Sequence, residues 1–125
     1  MKNERGSATV FVLAMLGALL LAGAGIGVLA QGQVAAIQAQ TAADAAALAA
    51  APETFLGGDP MALAREYAQA NGATLIRCEC PVDATWQTRQ VKVTVRVPLA
   101  IWSLGGVGVS RSAIAEFAPV ALLRD

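Results

Sequence analysis

Histidine is absent from the 125 residues, and charged residues make up only 14% of them. Histidine is the commonest general base and the commonest transition-metal ligand in proteins, so both roles lack their usual residue. The acidic residues show no spacing typical of a glycosidase pair or a metal cage. We therefore expect no enzymatic activity, no catalytic residue, no metal site and no cofactor.

Basic residues are also few. Nine lysines and arginines are balanced by nine acidic residues, which gives a net charge of zero. A protein that follows a phosphate backbone needs a concentrated basic surface. The composition therefore predicts that nucleic acid is not a partner.

Charge is missing altogether between Ser7 and Ala43, and residues 8–30 are almost wholly apolar. About 20 apolar residues suffice for a helix to cross the hydrocarbon core, so the sequence predicts a single membrane span. Lys2 and Arg5 precede the run, and the next basic residue is Arg65. The positive-inside rule then predicts a cytoplasmic N-terminus and an extracytoplasmic C-terminal domain.

A cleaved secretory signal is the alternative interpretation, because Val28-Leu29-Ala30 is a permissible site for signal peptidase. The chain would then be a binding module released after Ala30. The apolar run is longer than the roughly 7 to 15 residues of a signal h-region, which favours the uncleaved helix. A monomeric, membrane-anchored binding protein is a third possibility.

Residues 31–51 are rich in alanine and free of proline, so the helix is expected to continue out of the membrane until Pro52 ends it. Val34, Ile37 and Leu48 recur at helical spacing, which indicates an amphipathic extension. The predicted organisation is a leader over 1–6, a long helix over 7–51 and a small domain over 52–125.

Small side chains along this helix predict close packing against helices of partner subunits. Gly23 and Gly27 form a small-xxx-small pair, and Ala42 and Ala46 continue the small surface beyond the membrane. Such a helix offers little area for the core of a monomer. Substitution of Ala46 by glutamate is accordingly expected to disrupt assembly and to leave the outward domain folded.

The remainder predicts a small α+β domain. Asp59 is a helix N-cap before a helix over 60–70, and Asn71-Gly72 ends that helix. Antiparallel strands are expected over 74–80 and 91–97, the second with strict apolar alternation, and a third over 109–117.

Two cysteines, Cys78 and Cys80, are a possible disulfide in an extracytoplasmic domain. In an extended strand, the Cα atoms of residues two positions apart are separated by about the maximum distance that a disulfide can bridge, or more. An internal bond therefore requires a bend. An intermolecular bond and two buried thiols remain open alternatives. For Trp86 and Trp102 a core position is the default, with an interface or the membrane surface as alternatives.

Residues 5–12, Arg-Gly-Ser-Ala-Thr-Val-Phe-Val, and the alanine block around Asp44 over 38–51 resemble TadE/TadG-type pseudopilins. The closest likeness is to the helicase/secretion-neighbourhood TadE-like proteins, and it is weaker beyond residue 51. The resemblance implies a minor pilin or assembly factor of a tight-adherence (Flp) pilus or a type IV pilus-like secretion system. Its implied partners are other pilin-like subunits and membrane lipid, and its implied location is the cell membrane or an extracellular pilus.

By the same resemblance, a prepilin peptidase would cut after Gly6 and leave Ser7 as the new N-terminus. Phe11 stands where type IV-like pilins usually have a glutamate, five residues after the cut. The alternative is that the Gly6-Ser7 bond stays intact and that Ser7 is simply a helix N-cap.

Overall fold

A computed structural model describes residues 4–99 and 106–123 of the chain. The elements are α1 (Glu4–Leu56), α2 (Pro60–Ala70), β1 (Thr74–Glu79), β2 (Arg89–Pro98), β3 (Gly108–Phe117) and a 3-10 turn (Pro119–Leu123). One long helix followed by a short helix and three antiparallel strands confirms the predicted α+β class.

Helix α1 dominates the molecule. Its 53 residues correspond to a length of about 80 Å at the rise of an α-helix. It contains a stretch long and apolar enough to cross a membrane, with a mean hydropathy of 2.4 over an 18-residue window. None of that window is buried against the rest of the described chain, as expected for a segment whose solvent is lipid.

The prediction that Pro52 ends the helix is wrong, because α1 continues through it to Leu56. Proline cannot donate the hydrogen bond that Leu48 C=O would accept, and this loss is usually enough to break a helix. Here the last turn is held by tertiary contacts. Thr54 is fully buried and its hydroxyl donates to Ala51 C=O at 2.6 Å, while the Phe55 ring packs against Trp86.

The local signals around α2 are confirmed. The Asp59 side chain accepts a hydrogen bond from Ala62 N–H at 2.9 Å, and Pro60 occupies the first turn. At the other end Asn71 caps the helix and Gly72 adopts a positive φ of 73°, which a glycine tolerates without strain. The reversal brings the chain directly into β1.

The sheet has the order β1-β2-β3, and both pairs are antiparallel. The three predicted strands are present, with bounds that shift by one or two residues. A register shift between Leu75 and Arg77 bends β1. Strand β2 alternates without a fault, so Val91, Val93, Val95 and Val97 point to one face, where all are buried.

The core lies between that face and one side of α1. Alanines of the two helices pack against the valines of β2; they are Ala35, Ala39, Ala42, Ala43, Ala46, Ala47, Ala50, Ala51, Ala64 and Ala68. Because alanine is small, the helices can approach the sheet closely. The second half of α1 is therefore part of the domain core, and the predicted boundary between 51 and 52 does not separate two packing units.

Strand β2 runs antiparallel to α1. Arg89, at its start, donates to Thr54 C=O at 3.3 Å near the end of α1. Val97 and Pro98, at its end, line a groove with Ala30 and Gln31. The domain thus lies along the second half of α1, and the end of β2 lies nearest its apolar stretch.

Candidate functional site: the outward face of the long helix

The side of α1 opposite the sheet carries the bulky apolar residues of its protruding half. Val34, Ile37 and Leu48 are 65%, 68% and 68% exposed. Single exposed apolar residues are normal, but a row at helical spacing along one face is not. We call this surface the outward face; it comprises Gly23, Gly27, Ala30, Val34, Ile37, Thr41 and Leu48, which follow one another at three- or four-residue steps or at their sum.

Alanine lies inward and the larger residues lie outward, the reverse of an ordinary amphipathic helix. Ala42 and Ala46 are both fully buried inside their own domain. The prediction that these two alanines face a partner helix is therefore wrong for the folded chain. The alanine-rich sequence does build a core within the monomer, because the valines of β2 supply the volume that alanine lacks.

Gly23 and Gly27 lie in the apolar part of α1 on the outward face. A Cβ atom added at either glycine would meet no atom within 4 Å, so nothing within the described chain requires glycine there. Two glycines four residues apart let another helix backbone come close in lipid. Their role as a helix-packing pair stays a prediction. They lie on the same side of α1 as Val34 and Ile37, so the outward face continues from the protruding half into the apolar stretch.

The few polar groups near this face are satisfied within the helix. The Thr41 hydroxyl donates to Ile37 C=O at 3.0 Å, which leaves the methyl group to solvent. Asp44 is exposed at the edge of the face and accepts from Gln40 Nε2 at 3.0 Å. A groove of about 280 Å³ lies between α1 and β3 at this edge, and its lining includes Asp44, Leu48 and Ile114. The outward face is thus apolar with one carboxylate at its rim.

The predicted leader site lies at the start of the same helix. Because α1 begins at Glu4, both Gly6 and Ser7 are helical, and Ser7 is not an N-cap. Phe11, where a glutamate is usual in pilins, is exposed on the helix surface. Whether the Gly6-Ser7 bond is cut stays a prediction.

The cysteine pair forms a disulfide within the chain, with the Cα atoms of Cys78 and Cys80 5.3 Å apart. Strand β1 ends at Glu79, so Cys80 lies just outside it and supplies the bend that an internal bond requires. Both residues pack at the edge of the core. The intermolecular alternative does not apply to this conformation.

Sequence reasoning missed a cluster at the far end of α1. Arg89 is 9% exposed, and its guanidinium donates to three backbone carbonyls, those of Thr54, Thr85 and Gln87. It also lies 5.8 Å from the centre of the Phe55 ring. A cation at the carboxyl end of a helix is favourable because the last carbonyls lack partners. The sequence signal was weak, since Arg89 reads as an ordinary polar residue before a strand.

Around this arginine the loop 80–88 is fastened to α1. Asp83 N–H donates to Thr54 C=O at 2.9 Å, and Trp86 stacks edge-on against Phe55 with 5.0 Å between ring centres. Trp86 is 51% exposed, so it covers the cluster from outside and is not core. The side chain of Trp102 lies outside the described residues.

Hydrogen bonds from the backbone N–H and then the hydroxyl of Thr85 lower the pKa of Asp83 below its ordinary value. A depressed pKa means that the folded state favours the carboxylate. This contribution to stability is present above the ordinary carboxyl pKa and is lost as pH falls through the lowered pKa.

We expect Arg89→Ala to lower the free energy of unfolding by about 2 kcal/mol, because three backbone carbonyls, of which that of Thr54 is buried, lose a charged donor. Thermal unfolding followed by circular dichroism measures the change. Arg89→Lys keeps the charge without the fork and is expected to lose an intermediate amount. Lys92→Ala, on the exposed face of β2, is the control. Equal melting temperatures for Arg89→Ala and Lys92→Ala would contradict this role.

No group of three or more metal-ligating side chains occurs among residues 4–99 and 106–123. The groove lined by Val97 and Pro98 and the groove between α1 and β3 are both lined mainly by apolar groups. The arrangement therefore offers surfaces for packing, among them the outward face.

Residues 6–53 match the model of a protein family described as "Putative Flp pilus-assembly TadE/G-like". Comparison with the curated proteins and comparison with the solved structures gave no match. The matched segment covers nearly the whole of α1, including Gly6-Ser7, the apolar stretch and the alanine block. Over this helix the chain is similar to the TadE/G-like family associated with Flp pilus assembly.

Proposed function

We propose that this protein is a pseudopilin, or minor pilin-like subunit, of a Tad (Flp) pilus or related type IV pilus-like secretion system. Its work is structural: it assembles with other pilin-like subunits through α1 and catalyses no reaction. The observation that carries the proposal is the outward face, where Val34, Ile37 and Leu48 are about two-thirds exposed in the folded chain.

These side chains lie beyond the membrane-spanning length. About 20 residues cross the hydrocarbon core, so a span that starts near Val10 ends near Leu29. Val34, Ile37 and Leu48 then stand in water unless another surface covers them. Burying one such side chain contributes about 1.5 to 3 kcal/mol. A helix of a neighbouring subunit has the shape to cover all three at once.

Gly23 and Gly27 support the same arrangement inside the membrane. Apolar burial gives no driving force between helices in lipid, so close backbone approach and dispersion contacts have to supply the association energy. Because the glycines share a face with Val34 and Ile37, one partner helix can contact both parts of α1. Lys2 and Arg5 favour a cytoplasmic N-terminus, with the domain outside the cytoplasm.

Processing of the leader is expected to begin the mature chain at Ser7. N-terminal sequencing and intact-mass measurement of the protein recovered from its native membrane test this directly. Gly6→Leu is expected to block the cut, so that the chain starts at Met1, or at Lys2 after removal of the initiator methionine. Ala30→Leu is the matched control. Ala30 is exposed on the helix, and leucine there removes the small residue that signal peptidase requires. This variant is expected to keep its N-terminus at Ser7.

The other starts have distinct meanings. An intact Met1 in the wild-type protein would remove the peptidase from the proposed partners and leave an anchored accessory subunit. A start at Gln31 would contradict the membrane rod altogether, and a secreted binding module would replace the pseudopilin.

A further inference from the structure

Strand β3 leaves one edge of the sheet open. The order β1-β2-β3 places it at an edge, and over residues 4–99 and 106–123 no backbone group pairs with its outer side. Its ten residues pair with β2 along their whole length without a register shift, whereas β1 is shorter and carries such a shift. Folded proteins usually interrupt an exposed edge with a bulge, a proline or a very short strand. Strand β3 has none of these, so its edge is a regular template for a further strand.

The register identifies the residues that face this open edge. Leu99 N–H donates to Val107 C=O at 3.0 Å, so these two residues form a hydrogen-bonded pair in the register of β2 and β3. Hydrogen-bonded pairs alternate with non-hydrogen-bonded pairs in an antiparallel ladder. The residues of β3 in non-hydrogen-bonded pairs turn their N–H and C=O groups away from β2; they include Ser110, Ser112, Ile114 and Glu116. The Arg111 guanidinium donates to Ser110 C=O at 3.1 Å. The segment open to a partner therefore runs from residue 112 to residue 116, and we call it the free edge.

The groove between α1 and β3 lies beside the free edge, on the α1 side of the sheet. It is lined by Asp44, Ala47, Leu48, Ala113, Ile114 and Ala115. A strand that pairs with the free edge directs every second side chain to this side of the sheet, at intervals of about 7 Å. Asp44 and Leu48 are about 6 Å apart along the axis of α1. The groove therefore matches two successive side chains of an added strand.

The two ends of the groove differ in chemistry. Leu48 is apolar, whereas the exposed Asp44 carboxylate accepts a hydrogen bond from Gln40 and has no ion-pair partner within the described part of the chain. Strand β3 runs in the same direction as α1, since the ring of Phe117 at its end lies 6.2 Å from that of Phe55 near the end of α1. An antiparallel strand on the free edge runs the opposite way and passes Leu48 before Asp44. Charge complementarity then favours an apolar side chain at the first position and a basic one at the second.

We propose that the free edge and this groove bind an extended segment of another protein, which adds to the sheet as an antiparallel fourth strand. The segment carries an apolar residue, one residue of any kind and a basic residue, in that order. Backbone hydrogen bonds to Ser112, Ile114 and Glu116 supply affinity, and the groove selects the sequence. The β3 strand of a second copy does not fit, because antiparallel pairing would point its α1 in the opposite direction. Two chains anchored in one membrane cannot adopt that arrangement.

Hydrogen exchange of the full-length chain in nanodiscs tests the proposal with a synthetic peptide, Thr-Val-Thr-Val-Thr-Lys-Thr. Its last valine and its lysine are placed to face the groove, and its last three threonines to pair with the free edge. We expect the amides of Ser112, Ile114 and Glu116 to exchange freely in the chain alone and about tenfold more slowly with saturating peptide. The amides of Ala113 and Ala115, which face β2, are the internal reference.

Modified peptides separate backbone pairing from apolar contact. N-methylation of the last three threonines removes the donors that face β3 and is expected to abolish the protection. N-methylation of the last valine and the lysine, whose amides point away from β3, is expected to preserve it. Glutamate in place of the lysine should weaken binding about three- to tenfold, and Asp44→Asn should remove this difference. Glu66→Gln, which removes an exposed carboxylate of α2, is the control and should leave the difference unchanged.

Slow exchange of Ser112, Ile114 and Glu116 in the chain alone would overturn the proposal, because the edge would then be filled by the chain itself or by a second copy. No added protection at millimolar peptide, or equal binding of the two N-methylated peptides, would overturn it as well. The peptide stands in for the partner protein and makes no use of α1 packing. Each of these results therefore leaves the proposed role of α1 in assembly untouched.

Discussion

Ala46→Glu is expected to unfold the domain packed against α1. Ala46 is a fully buried residue of α1 in the core that the helix forms with the sheet. Glutamate there adds volume to the core and places a carboxylate among buried alanines and valines. Overpacking alone costs about 1 to 3 kcal/mol, and burial of an unpaired charge adds several kcal/mol more. A domain of this size has about 5 to 15 kcal/mol of stability to lose.

Hydrogen exchange of the β2 amides in the full-length chain, held in detergent or nanodiscs, measures the loss. We expect the amides between Val91 and Val97 to exchange at the rate of unfolded chain in the Ala46→Glu variant. Leu48→Glu is the matched control, since it lies two residues away on the opposite side of the same helix. Protection of β2 that survives Ala46→Glu would show that the alanines do not form the core.

The second large effect is expected on assembly. Ile37→Glu and Leu48→Glu should abolish co-purification with pilin-like subunits while the domain keeps its melting temperature. Ile37 and Leu48 are both 68% exposed, and Leu48 only borders the groove to β3, so we expect glutamate to cost the isolated subunit little stability. In an assembly the same carboxylate would be buried against an apolar helix, at a cost of several kcal/mol for each contact. Losses of this size reduce an association constant by orders of magnitude.

Lys92→Glu is the control for the assembly experiment, because it also introduces a negative charge but on the outer face of the sheet. It should leave co-purification unchanged. The two substitutions are expected to have different effects. Ala46→Glu unfolds the domain, and Leu48→Glu prevents binding of partner subunits to a folded domain. Retained co-purification with Ile37→Glu and Leu48→Glu would contradict packing through the outward face.

The local elements could be predicted from the sequence because their signals are short-range. Asp59-Pro60 and Asn71-Gly72 mark the two ends of α2 by capping chemistry, and the structure confirms both. Strict alternation from Val91 to Val97 can bury one face only as a strand. The apolar run before Ala30 needs no tertiary information to be recognised as a membrane span.

The side of α1 that faces the domain could not be predicted from the sequence, because the more hydrophobic residues of the helix are on its exposed side. Periodicity assigns Val34, Ile37 and Leu48 to the buried side, but packing against a sheet of valines favours a flat alanine surface. The contacts of Thr54 and Phe55 with the loop 80–88, which hold the turn after Pro52, also form only in the folded chain. Arg89 also depends on tertiary structure, because the carbonyl of Thr54 becomes its partner only after α1 and β2 have met.

Site-specific photocrosslinking in the native membrane tests the central claim most directly. A photoreactive amino acid is placed at Ile37 or Leu48 on the outward face, and at Lys92 on the outer sheet face as a control. The proposed packing predicts adducts between the first two positions and the N-terminal helix of a pilin-like subunit, and none from position 92. Adducts from position 92 with none from 37 or 48 would contradict it and assign assembly to the sheet.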